Sequence, residues 1–374
     1  MKKILAVLTA TAMAVSLAAC GASAPASSAA DSAASSASGS DSTASSAADS
    51  ATTTDTAASG VIHVGFAQVG HESDWRAAST NSAQDVFSAA NGYDLQFNDA
   101  DNDSAAQLEA VRGFIEQGVD YIVIDPIVTT GWDTVLQEAK DAGIPVFIID
   151  RTVEADQSLY ECWFGSDFKA EGEAAGAWLQ AYLEAKGRSA EDVNIAVISG
   201  TLGSSAQIGR SDGFDEYVSA NSNWKKIDEQ SGDFTQDGGQ EIMESFLKSY
   251  SDIDVVVCQN DNEAFGAMDA LKAAGKTYGK DGDTIIISFD ATNAGLTQVL
   301  AGSINADFEC NPLSAPYVAD AIQTLAKGGT VSDKQVYIDE ACFACDDTVK
   351  TIKVGSASKD MTAMTQQVLD ARAY

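Results

Sequence analysis

Between Val61 and Ala301 the chain keeps repeating one unit: a short run rich in Val and Ile, a polar loop, and a helical stretch. Strand-like runs lie at Val61–Val69, Leu95–Asn98, Tyr121–Ile124 and Pro145–Ile149, then at Asn194–Ser199, Lys226–Gln230, Val255–Cys258 and Thr284–Phe289. Helical stretches separate them at Trp75–Ala90, Ser104–Gln117, Gly131–Ala142, Lys169–Ala185, Gly238–Tyr250, Asn262–Ala274 and Asn293–Ala301, with one more carrying Arg210. Ser73 or Asp74 is the expected cap of the first helix. Strands that alternate with helices of this length need right-handed crossovers and so form parallel sheets. The grammar restarts at Cys162-Trp163-Phe164, so the expectation is an α/β chain with two doubly wound parallel-sheet lobes.

Open α/β sheets bind ligands at the carboxyl ends of their strands. Polar residues recur there: Trp75 with Arg76 in the first loop, Asp125 after the third strand, Asp150-Arg151 after the fourth, then Asn260-Asp261 and Asp290. Singly, each has a plainer reading. Asp150 and Arg151 suit a salt bridge or a cap, Trp75 a core position, Asn260-Asp261 a turn, and Asp290 the cap of the next helix. Together, on one edge of both sheets, they suit a cleft for a hydroxylated small molecule. Carboxylates and amides accept from hydroxyls, Arg and Asn donate to them, and an aromatic face covers the C–H side of a sugar ring.

Other functions are excluded by what the chain lacks. Gly200-Thr201-Leu202-Gly203-Ser204-Ser205 has no third glycine and no GK[ST] ending, so it reads as a strand-to-helix turn at the cleft and not as a nucleotide loop. The only histidines are His63 and His71, which leaves few members for a catalytic triad, and no catalytic set, cofactor or metal site is expected. The net charge of −33, from 55 acidic and 22 basic residues, repels nucleic acid. Cys342 and Cys345 have the spacing of a redox or zinc half-site but no second pair, and they read as buried thiols or a local disulfide.

The N-terminus is a targeting segment. Met1-Lys2-Lys3, an apolar run from Ile4 to Ala19 and then Cys20 form a secretory signal too short for a committed membrane span. Leu17-Ala18-Ala19-Cys20 resembles a bacterial lipoprotein box, which implies cleavage before Cys20 and acylation of its thiol. Residues 1–19 are then the signal peptide and residues 20–60 a lipidated linker of Ala, Ser, Thr, Asp and Gly that lacks the apolar side chains needed to fold. Five cysteines remain after Cys20, an odd number that leaves at least one thiol free.

Several segments resemble the periplasmic-binding-protein superfamily, in the ribose and galactofuranose branch that serves ABC sugar importers. They are Val64-Gly65-Phe66-Ala67-Gln68-Val69-Gly70 with Glu72, Trp75-Arg76-Ala77-Ala78, Thr130-Gly131-Trp132, Ile149-Asp150-Arg151, Gln230-Ser231-Gly232-Asp233-Phe234-Thr235, Met243-Glu244-Ser245-Phe246 and Asn260-Asp261. Glu-x-x-Trp-Arg and Gln-Ser-Gly-Asp-Phe-Thr are similar to the galactofuranose-binding members more than to the ribose-binding ones. The resemblance implies two lobes joined by three hinge crossovers, near Asp150-Arg151, near Phe308-Glu309 and near Cys342. The lobes would comprise 61–150 with 308–341 and 151–307 with 342–374. It implies ligand contacts at Glu72, Trp75, Arg76, Asp150, Arg151, Arg210, Phe234, Asn260 and Asp290. Two positions depart from the pattern: Cys310 stands where the ribose branch has glutamine, and Asp125 where relatives often carry an uncharged residue, so Asp125 either touches the ligand or caps the next helix.

The resulting expectation is a monomeric, lipid-anchored protein on the outer face of a bacterial membrane that captures a furanose, pentose or hexose. It would deliver the sugar to an ABC permease with its ATPase and perform no chemistry. A sensor docking on a chemoreceptor or sensor kinase is the alternative. An exported sugar-metabolising enzyme is disfavoured by the missing catalytic set, and a transcription regulator by the signal sequence.

Overall fold

The computed structural model describes residues 60–374; the expected signal peptide, Cys20 and the linker through residue 59 lie outside the described residues. In chain order come β1 (Ile62–Gln68), α1 (Asp74–Val86), β2 (Tyr93–Asp99), α2 (Ser104–Gln117), β3 (Tyr121–Ile124), α3 (Asp133–Asp141), β4 (Val146–Ile149) and β5 (Cys162–Gly165). Next are α4 (Phe168–Ala185), β6 (Val193–Ser199), α5 (Ser205–Ala220), β7 (Trp224–Ser231), α6 (Gln236–Ser249), β8 (Val255–Cys258), α7 (Asp261–Ala273), β9 (Ile285–Asp290), α8 (Asn293–Ala301) and β10 (Ala306–Glu309). The chain ends with α9 (Ala315–Ala326), β11 (Gln335–Tyr337), β12 (Cys342–Ala344), β13 (Thr351–Val354), β14 (Ala357–Ala363) and α10 (Gln366–Asp370).

These strands form two sheets, ordered β11-β5-β4-β3-β1-β2 and β13-β14-β12-β10-β9-β8-β6-β7. The first is parallel throughout. The second is parallel from β7 to β10 and mixed beyond, where β12 runs antiparallel to β10 and β13 to β14. Strands such as β4, β8 and β9 are buried along their whole length, which is why they read as unbroken Val and Ile runs. Each sheet carries an apolar core on both faces. In the first lobe α2 and α3 cover one face and α1 and α9 the other. In the second, α4 and α5 face α6, α7 and α8 across the sheet.

The expected α/β class and two wound lobes hold, but the lobe boundaries move. Cys162-Trp163-Phe164 does not open the second lobe. It is β5, paired with β4, so the first crossing follows Gly165 and not Asp150-Arg151. Similarly β10 pairs with β9, so Phe308 and Glu309 belong to the second sheet and the second crossing runs through residues 310–313. The third lies between β11 and β12, at residues 338–341. After Ala301 the chain adds α9 and the strands β10 to β14, these strands each three to seven residues long, beyond the repeating pattern seen in the sequence. Cys342 packs into one face of the second sheet and Cys345 against the other, because alternate strand positions point to opposite sides; the local-disulfide reading is therefore wrong, and both thiols are free. Among the described residues no helix is long and apolar enough to cross a membrane.

Helix starts are pinned at the cleft edge by side-chain caps: Ser73 accepts from the Arg76 amide, Ser204 from Gln207 and Asn260 from Glu263. Close packing of α4 on α5 then sets Arg210. A Cβ on Gly172 would collide with the Arg210 carbonyl, and one on Gly213 with the Lys169 carbonyl. Gly172→Ala is expected to destabilise the fold by about 1–3 kcal/mol, the usual cost of overpacking, measurable as a lower urea midpoint with an unchanged slope.

Candidate functional site

Two guanidinium-centred clusters face each other across the gap between the sheets. In the first lobe Arg76, on the first turns of α1, is 2% exposed and fills its donors with carboxylates. Its Nε donates to Glu72 Oε1 at 2.9 Å, one terminal nitrogen to Asp150 at 3.0 Å and the other to Asp125. Burial alone would lower the Arg76 pKa; the carboxylates of Asp125, Glu72 and Asp150 outweigh it and hold the guanidinium charged. Glu72 is likewise kept below the usual carboxylate range: burial opposes ionisation, but Arg76 and Arg151 prevail.

Arg151 donates to the Ile127 carbonyl at 3.0 Å, while its buried Nε has no hydrogen-bond partner among the described residues, Asp150 Oδ2 standing 3.9 Å away. A buried donor left in this state is uncommon in native structures and marks where an acceptor is wanted. The Arg151 guanidinium lies 5.1 Å over the Phe234 ring, which comes from the second lobe. There Arg210 Nε donates to Glu171 Oε2 at 2.7 Å and Nη2 to Asp290 Oδ1 at 3.1 Å, and Nη1 donates to the Gln259 carbonyl. Burial pushes the Asp290 carboxyl up to about 8.

Nine of the ten residues expected at the site line one cavity: Glu72, Trp75, Arg76, Asp150, Arg151, Arg210, Phe234, Asn260 and Asp290. The tenth, Asp125, does not. It is fully buried behind Arg76, so it neither faces the cavity nor caps a helix; it anchors the guanidinium. Asn260 lines the cavity and also caps α7: its Oδ1 accepts from the Glu263 amide and its Nδ2 donates to the Phe234 carbonyl at 2.9 Å. Trp75 is held edge-on by its indole N–H, which donates to the Cys310 carbonyl at 2.6 Å.

Phe168, Ala206 and Cys310 also line the cavity, and Glu171 backs it. Phe168 and Glu171 lie beyond the sequence expectation: they follow β5, which belongs to the first sheet, so its carboxyl end is a cleft edge like the others. Asp150, Phe234 and Asp290 take positive φ values of 56°, 62° and 98°, conformations that bulky residues rarely adopt and that concentrate at functional sites. Gly200 permits one of them, because a Cβ there would overlap the Phe234 ring.

The lobes also touch away from the cavity. Thr129 N–H donates to the Gly203 carbonyl at 3.0 Å, Thr152 N–H to Ser205 Oγ at 2.8 Å, and Asp74 N–H to Asn262 Oδ1 at 3.0 Å. Each pair joins the first lobe to the second, so this is a closed arrangement.

With that geometry, the comparisons decide the family. The profile of the periplasmic binding protein domain matches residues 64–329. The chain belongs to the periplasmic binding protein family. Among its relatives in this family is the galactofuranose-binding protein YtfQ of Escherichia coli, 39% identical over 298 residues that cover 79% of this chain and 91% of that one. A Mycobacterium smegmatis structure in complex with β-D-fucofuranose is 42% identical with a TM-score of 0.72, covering 77% of this chain and 92% of the other. The binding protein of an arabinose ABC transporter from Shewanella sp. ANA-3, bound to α- and β-L-arabinofuranose, is 37% identical with a TM-score of 0.71 and covers 77% and 93%. The two-lobed architecture is thus that of a type I periplasmic binding protein.

A carboxyl whose pKa is raised on folding binds protons more tightly in the folded chain, so the stability it contributes is lost as pH rises. For Asp290 that window runs from the unfolded value near 4 to about 8. Thermal midpoints should fall across this range, and Asp290→Asn should make the fall shallower.

Proposed function

We propose that this protein is the extracytoplasmic sugar receptor of an ABC importer, trapping one neutral monosaccharide between its lobes. The observation that carries the reading is the unpartnered Arg151 Nε beside Asp150 and Glu72, with Trp75, Phe168 and Phe234 as aromatic walls in the same cavity. A sugar ring meets that mixture: its hydroxyls give protons to the carboxylates and its oxygens accept from Arg151, while its C–H face lies on a ring.

Charge narrows the class. Glu72, Asp125 and Asp150 oppose Arg76 and Arg151 in the first lobe, and Glu171 and Asp290 oppose Arg210 in the second. Five carboxyl groups stand against three guanidinium groups, a balance that favours a neutral ligand over a phosphate or a carboxylate. Furanose rings are favoured by the relatives, whose bound sugars are fucofuranose and arabinofuranose. Closure over the sugar creates the surface a permease reads, and the protein itself makes or breaks no bond. Acylation at Cys20 would hold a monomer at the membrane outer face, with residues 20–60 as its tether.

Calorimetry against galactose, arabinose, fucose and ribose, with glucuronate as the charged control, tests this. A neutral sugar should bind at micromolar concentration or below and glucuronate should not. A sugar at a thousandfold over its Kd should stabilise the fold by about 4 kcal/mol. Arg151→Ala should weaken binding about 10- to 100-fold, the value of a hydrogen bond to a charged group. Absence of heat and of any midpoint shift with every neutral sugar would sink the reading.

The contacts between lobes make a separate prediction. Asn262 touches Asp74 of the opposite lobe and does not line the cavity, so Asn262→Ala should weaken every sugar about 2- to 10-fold, the value of one hydrogen bond. The rank order of sugars should stay the same; a changed order would make Asn262 a ligand contact.

A further inference from the structure

Next to the cavity, where the three crossings converge, lies a group of side chains that includes Cys310, which lines the cavity, and Glu171, which anchors Arg210. Cys310 sits on the second crossing, Glu340 on the third, and Glu171 on the first turn of α4, the helix that follows the first crossing. The Cys310 sulfur and one oxygen from each carboxylate all lie within 4.8 Å of one another. Among the described residues no other set of three or more His, Cys, Asp or Glu side chains is drawn together this closely.

Each group is oriented from behind. Arg210 holds Glu171 by Oε2, leaving Oε1 buried with no partner on a residue that is 2% exposed. Glu340 is held by Oε1 alone, which accepts from Ser166 Oγ and from the Asn311 amide at 3.1 Å. Ser166 Oγ also stands 3.3 Å from Cys310 Sγ. In Glu171 one oxygen is fixed by an outer donor and the other is left without a hydrogen-bond partner, the pattern of a metal-binding carboxylate. The guanidinium beside this set, Arg210, is already shared with Asp290.

We propose that Glu171, Cys310 and Glu340 form a hinge site for a divalent metal ion of the zinc class. A thiolate with two carboxylates suits a borderline cation and disfavours Mg²⁺ or Ca²⁺, which take oxygen ligands alone. Three protein ligands leave a fourth position for water. On binding, the thiol proton passes to solvent as the sulfur–metal bond forms. The ion joins the second and third crossings to the first helix of the second lobe, so it restrains rotation between lobes and changes sugar affinity. Sequence reading could not assemble this site, since its ligands are spread over 170 positions and share no motif.

The test is a titration of the full chain, stripped with chelator, with Co²⁺ followed by Zn²⁺. One equivalent of Co²⁺ should raise a thiolate-to-cobalt charge-transfer band, which Zn²⁺ removes and Mg²⁺ does not. Cys310→Ser should abolish the band. Glu340→Gln, which keeps the shape and the acceptor for Ser166, should weaken Co²⁺ about tenfold or more, in line with loss of a ligand or its support. Absence of a band in the native chain, or a band undiminished in Cys310→Ser, overturns the proposal. Should Cys310→Ser fail to fold, unchanged Co²⁺ affinity in Glu340→Gln overturns it instead. The outcome is independent of which sugar, if any, the cavity binds.

Discussion

Burial of Arg76 is the constraint on which the first lobe's half of the cleft depends. A guanidinium can be taken out of water only if its donors are met, and three carboxylates meet them: Glu72 from the same helix end, Asp125 from behind β3 and Asp150 from the end of β4. Removing one partner of such a cluster leaves an uncompensated buried charge, typically costing about 3–5 kcal/mol. The cluster therefore ties three loops into one rigid wall, and Arg151 and Trp75 stand on that wall. Arg210 plays the same part opposite, gathering Glu171, Asp290 and the β8 end. Preorganised polar groups of this kind bind a ligand with little further ordering cost.

Rigid walls need a movable joint, and the chain provides it in three short segments. Polar side chains knit these segments to one another and to the second lobe. Glu309 accepts from the Ala341 amide at 2.7 Å and from Arg372 at 2.7 Å, while Glu340 reaches back to Ser166 and Asn311. Tyr374 also donates to Glu309. The C-terminal residues thus bear on the same joint that the proposed metal site would restrain. Opening the lobes breaks the three contacts across the cleft mouth but leaves these ties to bend.

Much of this was legible in the residues. Val and Ile runs spaced by helical stretches specify parallel sheets wherever they occur, and most strand and helix positions through Ala301 follow from that alone. The strand-end rule brought Trp75, Arg76, Asp150, Arg151, Asn260 and Asp290 to one cavity, and the family resemblance added Glu72, Arg210 and Phe234. Asp125 shows where that rule stops. Its place at a strand end is right, but whether a side chain there points to a ligand or to a neighbouring arginine depends on what packs beside it.

Sequence by itself determined the fold class, the two-lobed plan and the edge on which polar residues gather, because each follows from local periodicity and from where strands end. Tertiary structure decided which lobe owns β5 and β10, since a four-residue strand carries no mark of the sheet it will join. It also decided that Cys342 and Cys345 lie on opposite faces, that Asp150, Phe234 and Asp290 take strained backbone conformations, and that Glu171, Cys310 and Glu340 meet. Those are long-range facts. They arise only when distant segments are packed against one another, and no spacing along the chain encodes them.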